Sequence, residues 1–128
     1  MRILFFSKNH DVIFNFLKNE FFNIKNLKMI LLQDYNSFEK EFFKCFSGET
    51  IIVFCAKTEK DIEYLEKQKK YFFDIKLVIN LSDNLKKFQK RIFLLNPRFV
   101  ICSDFSDIFF MEAVRGLVKI IQSKKQQN

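Results

Sequence analysis

The chain has 128 residues, a formal charge of +7 and 48% hydrophobic residues, with nineteen Phe, no Trp, two Gly and one Pro. That is enough chain for one core and too apolar for a disordered segment. No apolar run approaches the ~20 residues of a membrane span, Met1–Phe6 is too short for a signal peptide, and three widely spaced Cys make neither a disulfide framework nor a zinc site. A cytoplasmic protein is expected, with no membrane contact. The lysines are scattered opposite the apolar faces of the helices, as solvated charge usually is, so the basic balance does not by itself imply nucleic acid.

Arg2–Phe6 reads as the first strand. Ser7-Lys-Asn-His-Asp11 follows as a loop in which Asn9 or Asp11 can cap a helix, and Val12, Ile13, Phe16 and Leu17 then repeat with helical spacing. Lys28–Leu32 is the second strand. Asn36 and Glu39 resemble a capping pair for a helix with Phe38, Phe42, Phe43 and Phe46 on one face, and Gly48 suits its exit. Thr50–Cys55 is a short apolar run that ends abruptly in polar residues, the pattern of a buried parallel strand. Thr58 or Asp61 opens the next helix, which turns Ile62, Leu65 and Phe72 inward.

Ile75–Asn80 is the fourth strand. Ser82 or Asp83 caps a helix with Leu85, Phe88, Ile92 and Leu95, and Asn96-Pro-Arg98 breaks it. Phe99–Cys102 is the fifth strand. Ser106 or Asp107 starts a last helix with Phe109, Phe110, Ala113, Val114, Leu117 and Ile121. This alternation predicts an α/β fold: one doubly wound, five-stranded parallel sheet of order 2-1-3-4-5 with five helices. Residues 1–122 form the domain, and 123–128 a flexible tail or the start of a linker.

Five such units over residues 2–122 resemble the receiver domain of two-component response regulators. Arg2-Ile-Leu-Phe-Phe-Ser7 is similar to that family's opening strand. Phe99-Val-Ile-Cys-Ser-Asp-Phe105, followed by Glu112-Ala-Val-Arg-Gly-Leu117, is similar to its closing strand, Lys-Pro-Phe turn and last helix. A receiver takes a phosphoryl group onto an Asp at the end of the third strand. An acidic pair after the first strand holds Mg²⁺, which offsets charge on that group. A Thr or Ser after the fourth strand and a Lys after the fifth bind its oxygens.

The resemblance puts the nucleophile position on Cys55, with one residue of slack to Phe54 or Ala56. The acidic pair falls on Ser7 and Lys8, the hydroxyl on Asn80, the lysine on Ser103 and the proline on Asp104, while Phe105 is kept. No Asp or Glu lies between Thr50 and Thr58, and Asp11 beside Lys8 is a poor Mg²⁺ site. The loop after the third strand also lacks the family's Pro and Gly. The chain is therefore expected to be a pseudo-receiver, with the fold but no phosphotransfer, no catalytic residue, no metal and no cofactor. A flavin or nucleotide phosphate loop is likewise not expected, since no Gly-rich loop follows a strand.

Two further constellations stand beside plainer readings. Cys55 and Cys102 fall near the carboxyl edge of the sheet, where Lys8 or Lys57 could lower a thiol pKa and make a redox sensor. Against that, buried Cys commonly serve as small hydrophobes, and Cys45 reads as a packing residue. His10 alone makes neither a metal site nor a triad and reads as a surface residue. Lys86, Lys87, Lys90 and Arg91 on the fourth helix could pair across a two-fold with Asp107, Glu112 and Arg115 on the fifth. Ordinary solvated helix charge is the competing reading.

The resemblance then implies a regulatory and dimerisation domain at the N-terminus of a DNA-binding transcriptional regulator. The homodimer would use the fourth helix, fifth strand and fifth helix, and DNA would be reached only through an output domain outside this chain. The alternatives are a free-standing adaptor of the same fold and a thiol redox-sensing receiver.

Overall fold

The computed structural model describes residues 1–8, 12–44, 49–72, 75–102 and 107–126, with the backbone only at 107–109 and 124–126. Asn9–Asp11, Cys45–Gly48, Ser103–Ser106 and the side chain of Asp107 lie outside the described residues. The expectations placed on those residues, including Ser103 and the capping roles of Asn9, Asp11 and Ser106, lie there too.

The strands are β1 (Arg2–Phe6), β2 (Lys28–Leu32), β3 (Thr50–Ala56), β4 (Lys76–Leu81) and β5 (Phe99–Cys102). They form one sheet of order β2-β1-β3-β4-β5, and every adjacent pair is parallel. The helices are α1 (Val12–Phe21), α2 (Tyr35–Phe42), α3 (Glu59–Lys67), α4 (Gln89–Phe93) and α5 (Asp107–Gln126). This is the doubly wound arrangement that the alternation of runs predicts.

Side chains alternate across the sheet and divide the core in two. Leu4, Phe6, Ile52, Phe54, Leu77 and Ile79 face α2, α3 and α4. Ile3, Phe5, Ile51, Val53, Cys55 and Val78 face α1 and α5. Because both faces of central β3 are covered, all seven of its residues are buried, which is why it reads as an unbroken apolar run. The α2–α3 side is packed with rings: Phe6 stacks on Phe54 at 4.3 Å, and Phe38 meets both edge-on.

Three local expectations shift. The cap of α2 is Asp34, not Asn36: its extended backbone lets Oδ1 accept from the Ser37 amide at 2.8 Å. The helix so begins at Tyr35, whose ring packs on Phe6. The fourth helical segment is a 3₁₀ stretch over Asp83–Phe88 that passes into the short α4. Leu85 and Phe88 are three apart, the spacing that a 3₁₀ turn brings to one side. Finally, β4 starts at Lys76 and ends at Leu81, one residue later than expected, and β3 runs one residue further, to Ala56. Left-handed turns fall to Asn26 and Asn96, with φ of 64° and 54°; Asn96 closes the α4 segment, and Pro97 keeps it from resuming.

Candidate functional site at the carboxyl end of the sheet

In a doubly wound sheet the strand ends nearest the carboxyl terminus open onto the loops that carry chemistry. Here that edge is built around a buried carboxylate that lies on no strand. Thr58 caps α3 and Asp61 is the third residue of its first turn, so the two form a reciprocal capping box. Asp61 Oδ2 accepts from the Lys57 amide at 2.9 Å and the Thr58 amide at 3.1 Å. Its Oδ1 accepts from the Tyr35 hydroxyl at 2.5 Å and lies 3.0 Å from Lys8 Nζ. Asp61 is fully buried, whereas the Lys8 side chain stays 38% exposed.

Tyr35 holds this cluster in place. Its ring lies between Phe6, at 5.5 Å, and Tyr64, at 4.1 Å, nearly parallel to both. Lys8 Nζ sits 4.6 Å from the centre of the same ring, so the ammonium meets a π face and a carboxylate together. Burial alone would raise the Asp61 carboxyl; the bonds from Tyr35, the Lys57 amide, Lys8 and the Thr58 amide outweigh it and hold the pKa below the ordinary value. Lys8 is raised, first by its bond to Tyr35 and then by Asp61. Tyr35 is raised by its burial and by Asp61. Each group is thereby held in the form that the cluster needs: carboxylate, ammonium and phenol.

The other positions of the expected pocket lie elsewhere on the edge. Ser7 is buried, and its amide continues the sheet to the Leu32 carbonyl at 3.0 Å. Cys55 and Asn80 are buried neighbours on β3 and β4, with Asn80 Nδ2 3.8 Å from Cys55 Sγ. Asn80 Oδ1 is buried without a hydrogen-bond partner. Both belong to the face covered by α1 and α5, whereas Lys8 turns to the α2–α3 side. The site is thus split: Lys8 stands with Asp61 and Tyr35, apart from Cys55 and Asn80.

Cys102 is half-buried on β5, opposite Leu81 of β4. Two strand spacings, roughly 9–10 Å, separate it from Cys55 on β3, beyond the roughly 7 Å between Cα atoms that a disulfide spans. The two thiols therefore cannot join without a rearrangement of β4. Among the described residues no group of His, Cys, Asp and Glu could hold a metal ion.

On the opposite flank, the charges expected to meet across a two-fold are largely engaged within the chain. Arg91 makes two bonds to Glu66, at 3.1 and 2.5 Å, and one to Glu59 at 3.1 Å, joining α4 to α3. Arg115 bonds Glu20 of α1 and, at 3.1 Å, Glu112. Lys86 pairs with Asp83 at 3.2 Å, and Lys87 lies over the Phe88 ring. Lys90 makes no ion pair to another described residue. What this flank does present is apolar: Phe93, Leu94 and Phe99 are 59%, 67% and 42% exposed around the turn from α4 to β5.

Sequence reasoning missed Asp61 and Tyr35 as members of this site. The spacing Thr58-x-x-Asp61 signals a capping box, but not that its carboxylate would also meet Lys8. For Tyr35 no local signal exists, since the ring is placed by partners on β1 and α3.

With this geometry in hand, the fold can be set beside known structures. It is similar to a receiver domain of a response regulator from Clostridium thermocellum, with a TM-score of 0.68 and 13% identity, covering 94% of this chain and 96% of that one. It is also similar to RcsB from Salmonella enterica serovar Typhimurium bound to the promoter rprA in the presence of phosphomimetic BeF3⁻. There the TM-score is 0.70 and the identity 10%, over 91% of this chain and 67% of that one. A third likeness, to an adenylate cyclase from Rhodopirellula baltica, has a TM-score of 0.70 and 11% identity, over 98% and 95% of the two chains. No family model and no curated protein matches the sequence. At these identities the likeness is one of fold: the chain has the receiver-like, flavodoxin-type architecture. No helix among the described residues is long and apolar enough to cross a membrane.

Proposed function

We propose that this chain is a phosphorylation-independent, receiver-like signalling domain that acts by protein contact rather than by chemistry. The observation that carries this reading is the Lys8–Asp61 pair. Where a receiver would gather carboxylates for Mg²⁺, this chain has an ammonium whose charge is matched by a buried carboxylate. A cation brought to that edge would have to displace Lys8 from a bonded partner. No carboxylate ends β3, since Cys55 and Ala56 stand there. The chain is read as the regulatory domain of a bacterial, cytoplasmic transcriptional regulator whose DNA-binding part lies outside this sequence. RcsB, captured on promoter DNA, supports that role by analogy of fold.

Contact would run through α4, β5 and α5. Exposed Phe93, Leu94 and Phe99 supply the apolar centre of such a surface, and Lys87 and Lys90 its rim. Arg91, Glu112 and Arg115 then act as braces within each copy. The test is twofold. Acetyl phosphate or BeF3⁻ with Mg²⁺ should leave the intact mass and the amide spectrum unchanged; a covalent phosphoryl adduct, or shifts focused on β3 and β4, would overturn phosphorylation independence. Light scattering after size exclusion should give a dimer that Phe93→Glu with Phe99→Glu dissociates. A monomer in the parent chain would instead favour a free-standing adaptor that docks a different protein on the same apolar turn.

A further inference from the structure

The geometry points to a second site, at the opposite end of the sheet, that binds a phosphate ester with a flat or apolar body about the size of a mononucleotide. A cavity of about 670 Å³ opens there between the α3–β4 and α4–β5 connections. Its volume lies within the ~300–1,000 Å³ of small-ligand pockets. Lys67, Lys69, Lys70 and Arg98 form its rim, and all four are exposed. None of them makes an ion pair to another described residue. Among the described lining residues the acidic side chain is Glu66, which is engaged by Arg91 and held below its ordinary pKa by that bond. The floor is apolar: Phe72 and Leu95 are buried and Ile75 is half-buried.

Two plainer origins of the rim charge fall short of its balance. Lysines near a helix end can simply answer the helix dipole, and α3 and α4 both end beside this cavity. Each end contributes roughly half a negative charge. Among the described residues, four cations against one already paired carboxylate exceed that, so a positive field remains to attract an anion. Solvated surface lysines would also be cationic, but they would not ring a hydrophobic floor. A phosphate at the rim with a planar ring on Phe72 and Ile75 uses both features together. An acidic peptide would use the rim but would leave the apolar floor of Phe72, Ile75 and Leu95 unfilled.

The site shares no residue with the Lys8–Asp61 cluster, but its Leu95–Arg98 wall adjoins the apolar turn of Phe93, Leu94 and Phe99, so ligand binding is read by calorimetry and spectra rather than by oligomeric state. The test is calorimetric titration of the full chain with ADP, adenosine and pyrophosphate, followed by amide and side-chain methyl spectra. ADP should bind more tightly than either part, with shifts focused on Lys67–Phe72, Ile75 and Leu95–Arg98. Lys69→Glu and Arg98→Glu should each weaken it about tenfold or more, with thermal unfolding unchanged as proof of folding, while Lys119→Glu on α5 should leave it unaltered. Equal binding of pyrophosphate and ADP, equal loss in Lys119→Glu, or tighter binding of a Glu-rich peptide than of ADP would each overturn the assignment. So would the absence of binding at about 1 mM ADP.

Discussion

The two ends of the sheet carry similar charge in opposite ways. At the carboxyl end a lysine meets a buried carboxylate, a tyrosine hydroxyl and an aromatic face, and all three are satisfied within the chain. At the amino end three lysines and an arginine ring an apolar hollow and pair with no carboxylate among the described residues, though Lys70 lies over the Tyr71 ring. A charge answered from inside contributes to stability and is withdrawn from binding. A charge left on a rim contributes little to stability and stays available to a ligand. The difference separates a structural edge from a candidate binding edge in a molecule whose net charge alone distinguishes neither.

The largest effect should come from removing the buried partner. Asp61→Ala strands the Lys57 and Thr58 amides and the Tyr35 hydroxyl, and should cost about 3 kcal/mol in urea unfolding. A loss under about 0.5 kcal/mol would mean that the cluster is not satisfied as described. Lys8→Met leaves Asp61 with its other bonds, and Lys8 is partly exposed, so a smaller loss of about 1–2 kcal/mol is expected. A double-mutant cycle on the two positions should return a favourable coupling.

The pH dependence follows from the same cluster. Asp61 is depressed below its ordinary value of 3.8. Its contribution is therefore present above that value and is lost as pH falls through the depressed folded one. Lys8, Tyr35 and Tyr64 are raised above 10.5, 10.0 and 10.0. For Tyr64 the cause is burial, with the Glu39 carboxylate 3.1 Å from its hydroxyl. Their contributions are complete below those values and fade as pH rises through the higher folded ones. Unfolding measured across the pH range should show both limbs, and Asp61→Asn should flatten the acid one. At the amino end the smallest change in stability is expected: Lys69→Glu and Arg98→Glu should each shift it by less than about 0.5 kcal/mol. If either is strongly destabilising, the rim is structural and the contrast between the ends fails.

Much of this architecture was legible beforehand because it is periodic. β3 is apolar from Ile51 to Ala56 since both its faces are covered, and Phe38 and Phe42 fall one helical turn apart since one side of α2 is buried. The departures from receiver chemistry at Ser7, Lys8, Cys55 and Asn80 needed only residue identities. The pairing of charges did not follow from spacing. Arg115, a candidate for contact with a second subunit, bonds Glu20, ninety-five positions away in sequence. Arg91, another such candidate, bonds Glu66 and Glu59.

The order of elements, the five-stranded parallel sheet and the lack of a carboxylate at the end of β3 can be read from the residues alone. Those follow from local rules: hydrophobic period, capping spacing and the chemistry of single side chains. Packing of distant elements turns Lys8 to Asp61 rather than to Cys55, lets Tyr35 lock the pair, and gathers Lys67, Lys69, Lys70 and Arg98 around one hollow. A long charged side chain can choose among partners within several ångströms, and which partner lies there is set by how distant elements pack.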